Sequence, residues 1–264
     1  MISFSKMHAL GNDFAVFYGN EALLEIISQQ ITKLSDRQTG IGFDQLLFVM
    51  KQEDAVFYFH IFNADGSQAS QCLNGARCVA RFLIEKKHIK RQKFFLSNAS
   101  GVLDVDAQDF EAISLKILNQ VSISQEKITI DTLLYHFTKV SMGNDHLITT
   151  TEQNNLLDVP TLGKLCQSYC RGGINVGFVE LISEKEIKLR TYERGTGETL
   201  CCASNALATV AVGIAQGWLK ETVTVNYTRG SLRISLSHDR THFYLTGSAS
   251  YCYDGVLSNS SYEP

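Results

Sequence analysis

The chain has 264 residues, of which 44% are hydrophobic and 19% are charged, a composition typical of a globular protein with a substantial core. Its net charge of −3 and isoelectric point near 6.2 indicate no basic surface, so we expect neither nucleic acid nor a membrane as a partner. The N-terminus lacks the continuous apolar segment of a secretory signal, so we expect a cytoplasmic protein with free thiols and a small zwitterionic substrate.

Short apolar segments predict β-strands along the whole chain. They cover residues 45–50, 56–62, 94–96, 113–117, 178–182, 187–192, 223–227, 232–236 and 243–246. Apolar residues at helical spacing follow Cys72 and Cys202, which predicts that a central helix begins at each of these cysteines. A helix with so many apolar residues must be wrapped by a sheet.

The segment 199–219 contains no charged residue and is nearly long enough to span a membrane. However, Ser204 and Asn205 lie inside it, and many of its apolar residues are small. No basic residues at its ends indicate an orientation in a membrane. We therefore interpret it as a helix buried inside the protein.

The sequence contains an internal repeat whose period is the length of a domain. Residues 10–13 recur as 142–145, residues 40–43 have an echo in 175–178, and the nine-residue spacing from Asn63 to Cys72 recurs from Glu193 to Cys202. The offsets are 132, 135 and 130 residues, in the same order along the chain. The sequence therefore predicts two pseudo-symmetric α/β domains of the α+β type. One comprises residues 1–117 with the C-terminal segment 250–264, and the other comprises residues 118–249.

Cysteines at helix N-termini are chemically suited to proton transfer. The unpaired N–H groups there carry partial positive charge, which is expected to lower the pKa of a thiol and to bind a carboxylate. Because two such cysteines occur at matching positions, one thiolate and one thiol could invert an amino-acid α-carbon without a cofactor. Cys166 and Cys170 lie four residues apart, but no nearby Cys/His pair completes a zinc site, so we predict a structural role and no metal.

Several motifs occur in the order found in a known family. They are FSKMHALGNDF at 4–14, GFDQ at 42–45, NADGS at 63–67, CLNGARC at 72–78, MGN at 142–144, NVGF at 175–178, ERGTGET at 193–199 and YDG at 253–255. By these motifs the chain resembles the diaminopimelate epimerases of the pyridoxal-independent racemase superfamily. The resemblance implies a sheet around a central helix in each domain, an active site in the cleft between the domains, no cofactor and a homodimer.

The resemblance also implies roles for individual residues, with Cys72 and Cys202 as the base and acid. Residues implied to bind the distal amino-acid end of diaminopimelate are Asn12, Asn63, Asn144, Asn175, Glu193 and Arg194. Residues implied to line the rest of the substrate site are Gln45, Leu73, Asn74, Ala203, Ser204 and, as an auxiliary group, His146.

The chain departs from the family pattern beside both cysteines. Leu73, Ala203 and Asn205 replace glycines, and Asp145 replaces a proline. Such glycines serve either a positive φ or a close approach to the backbone, so we expect bulk at the reacting end of the substrate. Interconversion of LL- and meso-diaminopimelate is the main prediction. The alternatives are a racemase of another amino acid, such as histidine, and a catalytically impaired binding protein.

Overall fold

The computed structural model describes residues 1–52, 56–130, 133–153, 156–170 and 172–258. The chain forms two compact units. Unit 1 comprises Met1–Leu115 with Gly247–Pro264, and unit 2 comprises Lys116–Thr246. Both units combine strands with helices, and the predicted fold class is confirmed.

Unit 1 combines strands with helices, of which α3 is the longest with 13 residues. Its elements are β1 (Ile2–Ala9), β2 (Asn12–Tyr18), α1 (Glu21–Ser28), α2 (Ile31–Ser35), β3 (Gln45–Lys51), β4 (Phe57–Asn63), β5 (Gln68–Ala69), α3 (Leu73–Glu85), β6 (Lys93–Asn98), β7 (Gly101–Asp106) and, from the end of the chain, β18 (Ser250–Leu257). Strand β8 (Ile113–Leu118) continues from unit 1 into unit 2.

Unit 2 has a corresponding set of elements, and its longest helix is α5, also with 13 residues. Its elements are β9 (Ser122–Ile130), β10 (Leu133–Ser141), β11 (Asp145–Thr151), α4 (Val159–Tyr169), β12 (Asn175–Ser183), β13 (Glu186–Glu193), β14 (Gly197–Thr199), α5 (Ala203–Ala215), β15 (Thr222–Tyr227), β16 (Gly230–Leu236) and β17 (His242–Gly247).

Strand pairing follows the same order and orientation in the two units. In unit 1 the order is β18–β1–β2–β3–β4–β6–β7, with only the β2–β3 and β4–β6 pairs parallel. In unit 2 it is β9–β10–β11–β12–β13–β15–β16, with β11–β12 and β13–β15 parallel. The predicted repeat is therefore present at the level of topology.

The structure corrects one of the three sequence echoes. Gln45 begins β3 opposite Phe14 of β2, and Asn175 begins β12 opposite His146 of β11, so Gln45 and Asn175 are equivalent. Their offset is 130 residues, and the echo of 40–43 in 175–178 is wrong. Its glycines differ in function, because Gly42 has a φ of 71° in the loop before β3, whereas Gly177 lies within β12.

The central helices α3 and α5 are buried along almost their whole length. In each of them, ten of thirteen residues are buried. They begin immediately after Cys72 and Cys202, as predicted, and each packs on strands of its own unit. Among the described residues, no helix combines the length and the apolar composition that a membrane span requires.

Helices α1 and α4 each begin with a side-chain cap. The Asn20 side chain accepts a hydrogen bond from the Leu23 N–H at the start of α1, and the Asp158 side chain accepts from the Thr161 N–H at the start of α4. Pro160 lies in the first turn of α4, where its missing N–H costs nothing. Helix α1 precedes β3 and α4 precedes β12, and each of those strands starts with a predicted site residue, Gln45 or Asn175.

Candidate active site

Each unit places its key cysteine at the N-cap of its central helix. The Cys72 Sγ accepts a hydrogen bond from the Gly75 N–H at 3.2 Å, and this sulfur is half-buried. The Cys202 Sγ lies 3.3 Å from the Ser204 Oγ, and the residue is only 5% exposed. The Cys72 sulfur thus caps the first turn of α3, whereas the Cys202 sulfur contacts a side-chain hydroxyl, and the two cysteines differ in hydration.

The prediction that the helix N-terminus lowers the thiol pKa is wrong for Cys202. Burial raises the pKa of the Cys202 thiol well above its ordinary value, and the negative charge of Glu193 raises it further. The hydrogen bonds from Ser204 and from the Asn205 backbone act in the opposite direction but do not compensate. Cys202 is thus a thiol at neutral pH, a state suited to proton donation.

Two asparagines of the predicted site gather beside Cys72. The Asn12 Oδ1 lies 4.0 Å from the Cys72 Sγ and accepts a hydrogen bond from the Asn74 Nδ2 at 3.2 Å. Arg77, fully buried, donates to the Asn74 Oδ1 at 2.8 Å and to the Leu73 carbonyl at 3.2 Å. We assigned no role to Arg77 from the sequence. A charged residue on the apolar side of a helix was the signal that could have identified it.

Gln45 and Asn63 form a second pair in unit 1. They lie opposite each other on β3 and β4, and the Gln45 Nε2 donates to the Asn63 Oδ1 at 2.9 Å. The Asn63 Nδ2 donates to the Ser67 Oγ at 3.0 Å, so turn chemistry and the predicted binding role coexist in this residue.

The equivalent strands of unit 2 bring together Asn175, Glu193 and Arg194. The Asn175 Oδ1 accepts a hydrogen bond from the Arg194 backbone N–H at 3.0 Å, while the Arg194 side chain is exposed. The Thr199 Oγ1 donates to the Glu193 Oε1 at 2.5 Å, which orients the carboxylate that acts on Cys202. Tyr227, another residue to which the sequence assigned no role, donates its hydroxyl proton to the Cys202 carbonyl at 2.8 Å.

His146 is fully buried between Asn144 and Asn205. Its Nε2 lies 3.1 Å from the Asn144 Oδ1, and its Nδ1 lies 3.3 Å from the Asn205 Nδ2. Burial lowers the pKa of His146 to about 4, so the imidazole is neutral near pH 7. Asn205 was predicted only as a departure from the family pattern, and the structure gives its side chain a partner.

Leu73 and Ala203 are the first residues of α3 and α5, and they are 4% and 3% exposed. Neither is among the residues with positive φ in the described part of the chain. The first of the two glycine functions considered from the sequence is therefore excluded at these positions. What the two side chains add is bulk beside the helix N–H groups.

The predicted site residues thus form two groups, one in each unit. Cys166 lies outside them, in the hydrophobic core of unit 2, and Cys170 packs against that core. In the described ranges, no three His, Cys, Asp or Glu side chains are arranged so that they could hold a metal ion.

Comparisons with known proteins agree with this architecture. The family model described as diaminopimelate epimerase matches residues 4–116 and 138–252. A probable proline racemase from Agrobacterium radiobacter K84 has a similar structure, with a TM-score of 0.77 at 14% identity, over 100% of this chain and 95% of the other.

Two further solved structures share the fold. A hydroxyproline epimerase from Agrobacterium vitis has a TM-score of 0.75 at 14% identity, with 96% of this chain and 91% of the other covered. A phenazine biosynthesis protein of the PhzF family from Bacillus anthracis has a TM-score of 0.73 at 14% identity, with 97% and 99% covered.

Proposed function

Because the chain belongs to the diaminopimelate epimerase family, and is therefore an isomerase of the epimerase and racemase type, we propose that it interconverts LL- and meso-diaminopimelate. Cys72 and Cys202 are the two catalytic residues, and the reaction needs neither a metal nor an organic cofactor. The observation that carries this proposal is a cysteine at the N-cap of a buried helix in both halves of one repeat.

The chemistry follows from the two sulfurs. A thiolate removes the α-hydrogen as a proton, and the electron pair of the C–H bond moves into the carboxylate, giving an enediolate-like state. The opposite thiol returns a proton to the other face of the α-carbon, so the configuration inverts and the two sulfurs exchange protonation states. Helix N–H groups directed at the developing charge typically contribute about 10²–10³-fold in rate each.

The protonation states in the substrate-free enzyme support one direction of transfer. Burial raises the pKa of the Cys202 thiol, so Cys202 carries the proton. The Cys72 Sγ accepts the Gly75 N–H, a hydrogen bond that favours negative charge on that sulfur. Cys72 is then the base for one diastereomer, and the reverse reaction begins from the opposite pair of states.

The distal end of the substrate is a second zwitterion, and polar residues suited to it are available in both units. In unit 1 the Gln45–Asn63 pair offers amide groups, and in unit 2 Asn175, Glu193 and Arg194 lie together. A planar guanidinium is well matched to a carboxylate. These groups favour diaminopimelate over substrates that lack a charged distal end. We also propose, from the family resemblance, that the enzyme acts as a homodimer in a bacterial cytoplasm.

One observation favours a second candidate. Leu73 and Ala203 add buried side chains at the helix starts where the reacting carboxylate would bind. A racemase acting on a different amino acid, such as histidine, would use the same cysteines with a reshaped site. This candidate requires only a change in the substrate that fits.

The test is to incubate the enzyme in D₂O with LL-diaminopimelate and, separately, with L-histidine, and to follow loss of the α-proton signal by NMR. We expect exchange and epimerisation of diaminopimelate, and loss of both in Cys72→Ala and in Cys202→Ala. Cys252→Ala, at an exposed cysteine that caps no helix, is the control and should retain full activity. Faster exchange of histidine would favour the second candidate, and substantial turnover in either cysteine variant would exclude the two-base mechanism.

A further inference from the structure

A polar side chain without exposure to solvent lies in the first turn of α5. Asn205 is 0% exposed, and most of the helix around it is apolar. A Cβ added to Gly177 would lie 2.4 Å from the Asn205 Oδ1, so β12 passes directly against this amide. Burying an amide is unfavourable unless it forms hydrogen bonds, and the Asn205 Nδ2 finds its partner 3.3 Å away in the His146 Nδ1.

The hydrogen bond continues through the imidazole to a third residue. The His146 Nε2 lies 3.1 Å from the Asn144 Oδ1, just before β11. All three residues belong to unit 2. The contact between His146 and Asn144 is local, whereas the contact between Asn205 and His146 joins α5 to β11. Asn205, His146 and Asn144 therefore form one continuous chain of side-chain hydrogen bonds.

The direction of this chain follows from the donors and acceptors. An amide nitrogen only donates and an amide oxygen only accepts, so the His146 Nδ1 must accept from Asn205 and the Nε2–H must donate to Asn144. A neutral imidazole carries one N–H and one lone pair, which matches these two contacts. Burial keeps the ring neutral, because it lowers the pKa of His146 to about 4.

The orientation of the Asn144 amide is the consequence. Its Oδ1 is occupied by His146, and in the described part of the chain its Nδ2 donates to no side-chain or backbone acceptor. Without the hydrogen bond from His146, the Asn144 amide could rotate by 180° and present its oxygen to a ligand instead. When these hydrogen bonds are formed, the NH₂ group of Asn144 is the part of its side chain that can bind a ligand.

We propose that Asn205, acting through His146, is a positioning residue that holds the Asn144 amide with its NH₂ group available, so that Asn144 binds a carboxylate of the substrate rather than its ammonium group. This inference rests on the proposed function, which places Asn144 at the distal end of the substrate. It adds the group that is recognised and the residue that determines the choice.

The first experiment measures the wild-type enzyme and needs no substrate. Two-dimensional ¹⁵N–¹H NMR of the imidazole rings at pH 7, with the His146 signals assigned from their absence in His146→Gln, reports which ring nitrogen carries the proton. We expect the Nε2–H tautomer as a single species. A single Nδ1–H tautomer, or a protonated ring, would overturn the proposal.

The second experiment replaces Asn205, the residue at which the series of hydrogen bonds begins. Asn205→Leu keeps a similar volume but has no donor, so His146 and Asn144 can reverse together, and we expect both tautomers of His146. Thr209→Ser, one turn later in α5 at an equally buried position, keeps the hydroxyl that donates to the Asn205 Oδ1 at 3.5 Å, so it is the matched control and should keep the single tautomer. A wild-type spectrum in Asn205→Leu would show that Asn205 does not determine the orientation.

Kinetics then separate positioning from structure. With LL-diaminopimelate, Asn205→Leu should raise KM about fivefold and leave kcat within about twofold, because loss of one oriented hydrogen bond weakens binding but not proton transfer. An analogue whose distal carboxylate is an amide should lose its disadvantage in this variant. An unchanged KM for Asn205→Leu, or equal losses in kcat for Asn205→Leu and Thr209→Ser, would contradict the proposal. If the wild type does not act on diaminopimelate at all, the proposed function fails. The tautomer measurement still decides whether the hydrogen bonds from Asn205 through His146 orient Asn144.

Discussion

At the scale of single residues, the two key cysteines occupy equivalent positions in different surroundings. Cys72 is half-buried and Cys202 is almost fully buried, and burial raises the pKa of the Cys202 thiol. The thiolate is the reactive form of cysteine, so the two should react at different rates with an alkylating reagent. The difference in rate reports the combined effect of the protonation state and the exposure of each thiol in the free enzyme.

We expect iodoacetamide at pH 7.5 to modify Cys72 at least about tenfold faster than Cys202. The measurement is peptide mass spectrometry over a time course on the substrate-free enzyme. Cys252, which is exposed, serves as the control for access of the reagent. Modification of Cys202 before Cys72 would contradict the assignment of Cys202 as the proton carrier in the free enzyme.

The buried His146 should make folding sensitive to acid. Its pKa is lowered by burial from 6.5 to about 4, so between these values the unfolded chain binds a proton that the folded chain does not. The free energy of unfolding is therefore highest above pH 6.5 and falls as the pH drops towards 4, by up to about 3 kcal/mol from this group.

The measurement for this prediction is urea unfolding at pH 7 and pH 4.5. His146→Gln should be less stable than the wild type at pH 7 but should lose less stability between the two pH values. Asp13 accepts hydrogen bonds from Arg37 and Lys6, which lower its pKa to about 2. Its contribution to the free energy of unfolding is therefore lost mostly below pH 4.5, outside the range of this comparison. An equal loss of stability in both proteins would show that His146 is not buried in its neutral form.

At the scale of elements, the starts of α3 and α5 differ from the family pattern in bulk and not in backbone conformation. Leu73 and Ala203 occupy the first helical positions, are buried and lack positive φ. Their side chains leave the helix N–H groups in place but occupy space near them. A carboxylate displaced by about 1 Å can cost about 100-fold in rate.

Restoring glycine with Leu73→Gly plus Ala203→Gly should therefore raise kcat on diaminopimelate, by up to about 100-fold, with little change in KM. The variant should also be less stable, because removing a buried leucine side chain typically costs about 2–5 kcal/mol. Steady-state rates are compared per folded enzyme. Ala206→Gly, one turn into α5 and buried, is the control and should lose stability without gaining kcat. No gain in the double variant, together with racemisation of histidine by the wild type, would mean that these positions suit another substrate.

At the scale of the whole molecule, the end of the chain completes unit 1. Strand β18 pairs antiparallel with β1 from Ile2 to His8, in the place that β9 occupies beside β10 in unit 2. The carbonyls of Ser248 and Ala249 also accept hydrogen bonds from Arg77 and Arg81 of α3. Unit 1 therefore depends on residues that the chain supplies last.

A chain that ends at Thr246 should lose the cooperative unfolding transition of unit 1 and all epimerase activity. Its Arg77 would remain buried without one of its acceptors, and β1 would become an unpaired edge. Limited proteolysis should then cleave within residues 1–115 while residues of unit 2 persist. A chain ending at Ser258, which keeps all of β18, is the control and should match the wild type. Protection of residues 1–115 in the shorter chain would refute the dependence of unit 1 on β18.

Sequence periodicity predicted the elements well because it reflects burial. Strands such as β3 and β13 and the two helices after the cysteines contain apolar runs that only a core can accommodate. The hairpin of β1 and β2 and the helices α1 and α2 were not predicted in detail. The match of residues 40–43 to 175–178 was wrong because sequence similarity does not distinguish a glycine in a loop, Gly42, from a glycine in a strand, Gly177.

The sequence by itself determined the fold class, the repeat, the family and the positions of Cys72 and Cys202, because local pattern and motif order suffice for these. Only the tertiary structure decided the environment of each group. It showed that dehydration outweighs the helix N-terminus at Cys202, since burial depends on contacts from strands distant in the chain. It also showed that hydrogen bonds connect Asn205 to Asn144 through His146, although Asn205 and His146 are 59 positions apart in the sequence. Hydrogen bonds between side chains depend on spatial proximity and not on spacing along the sequence.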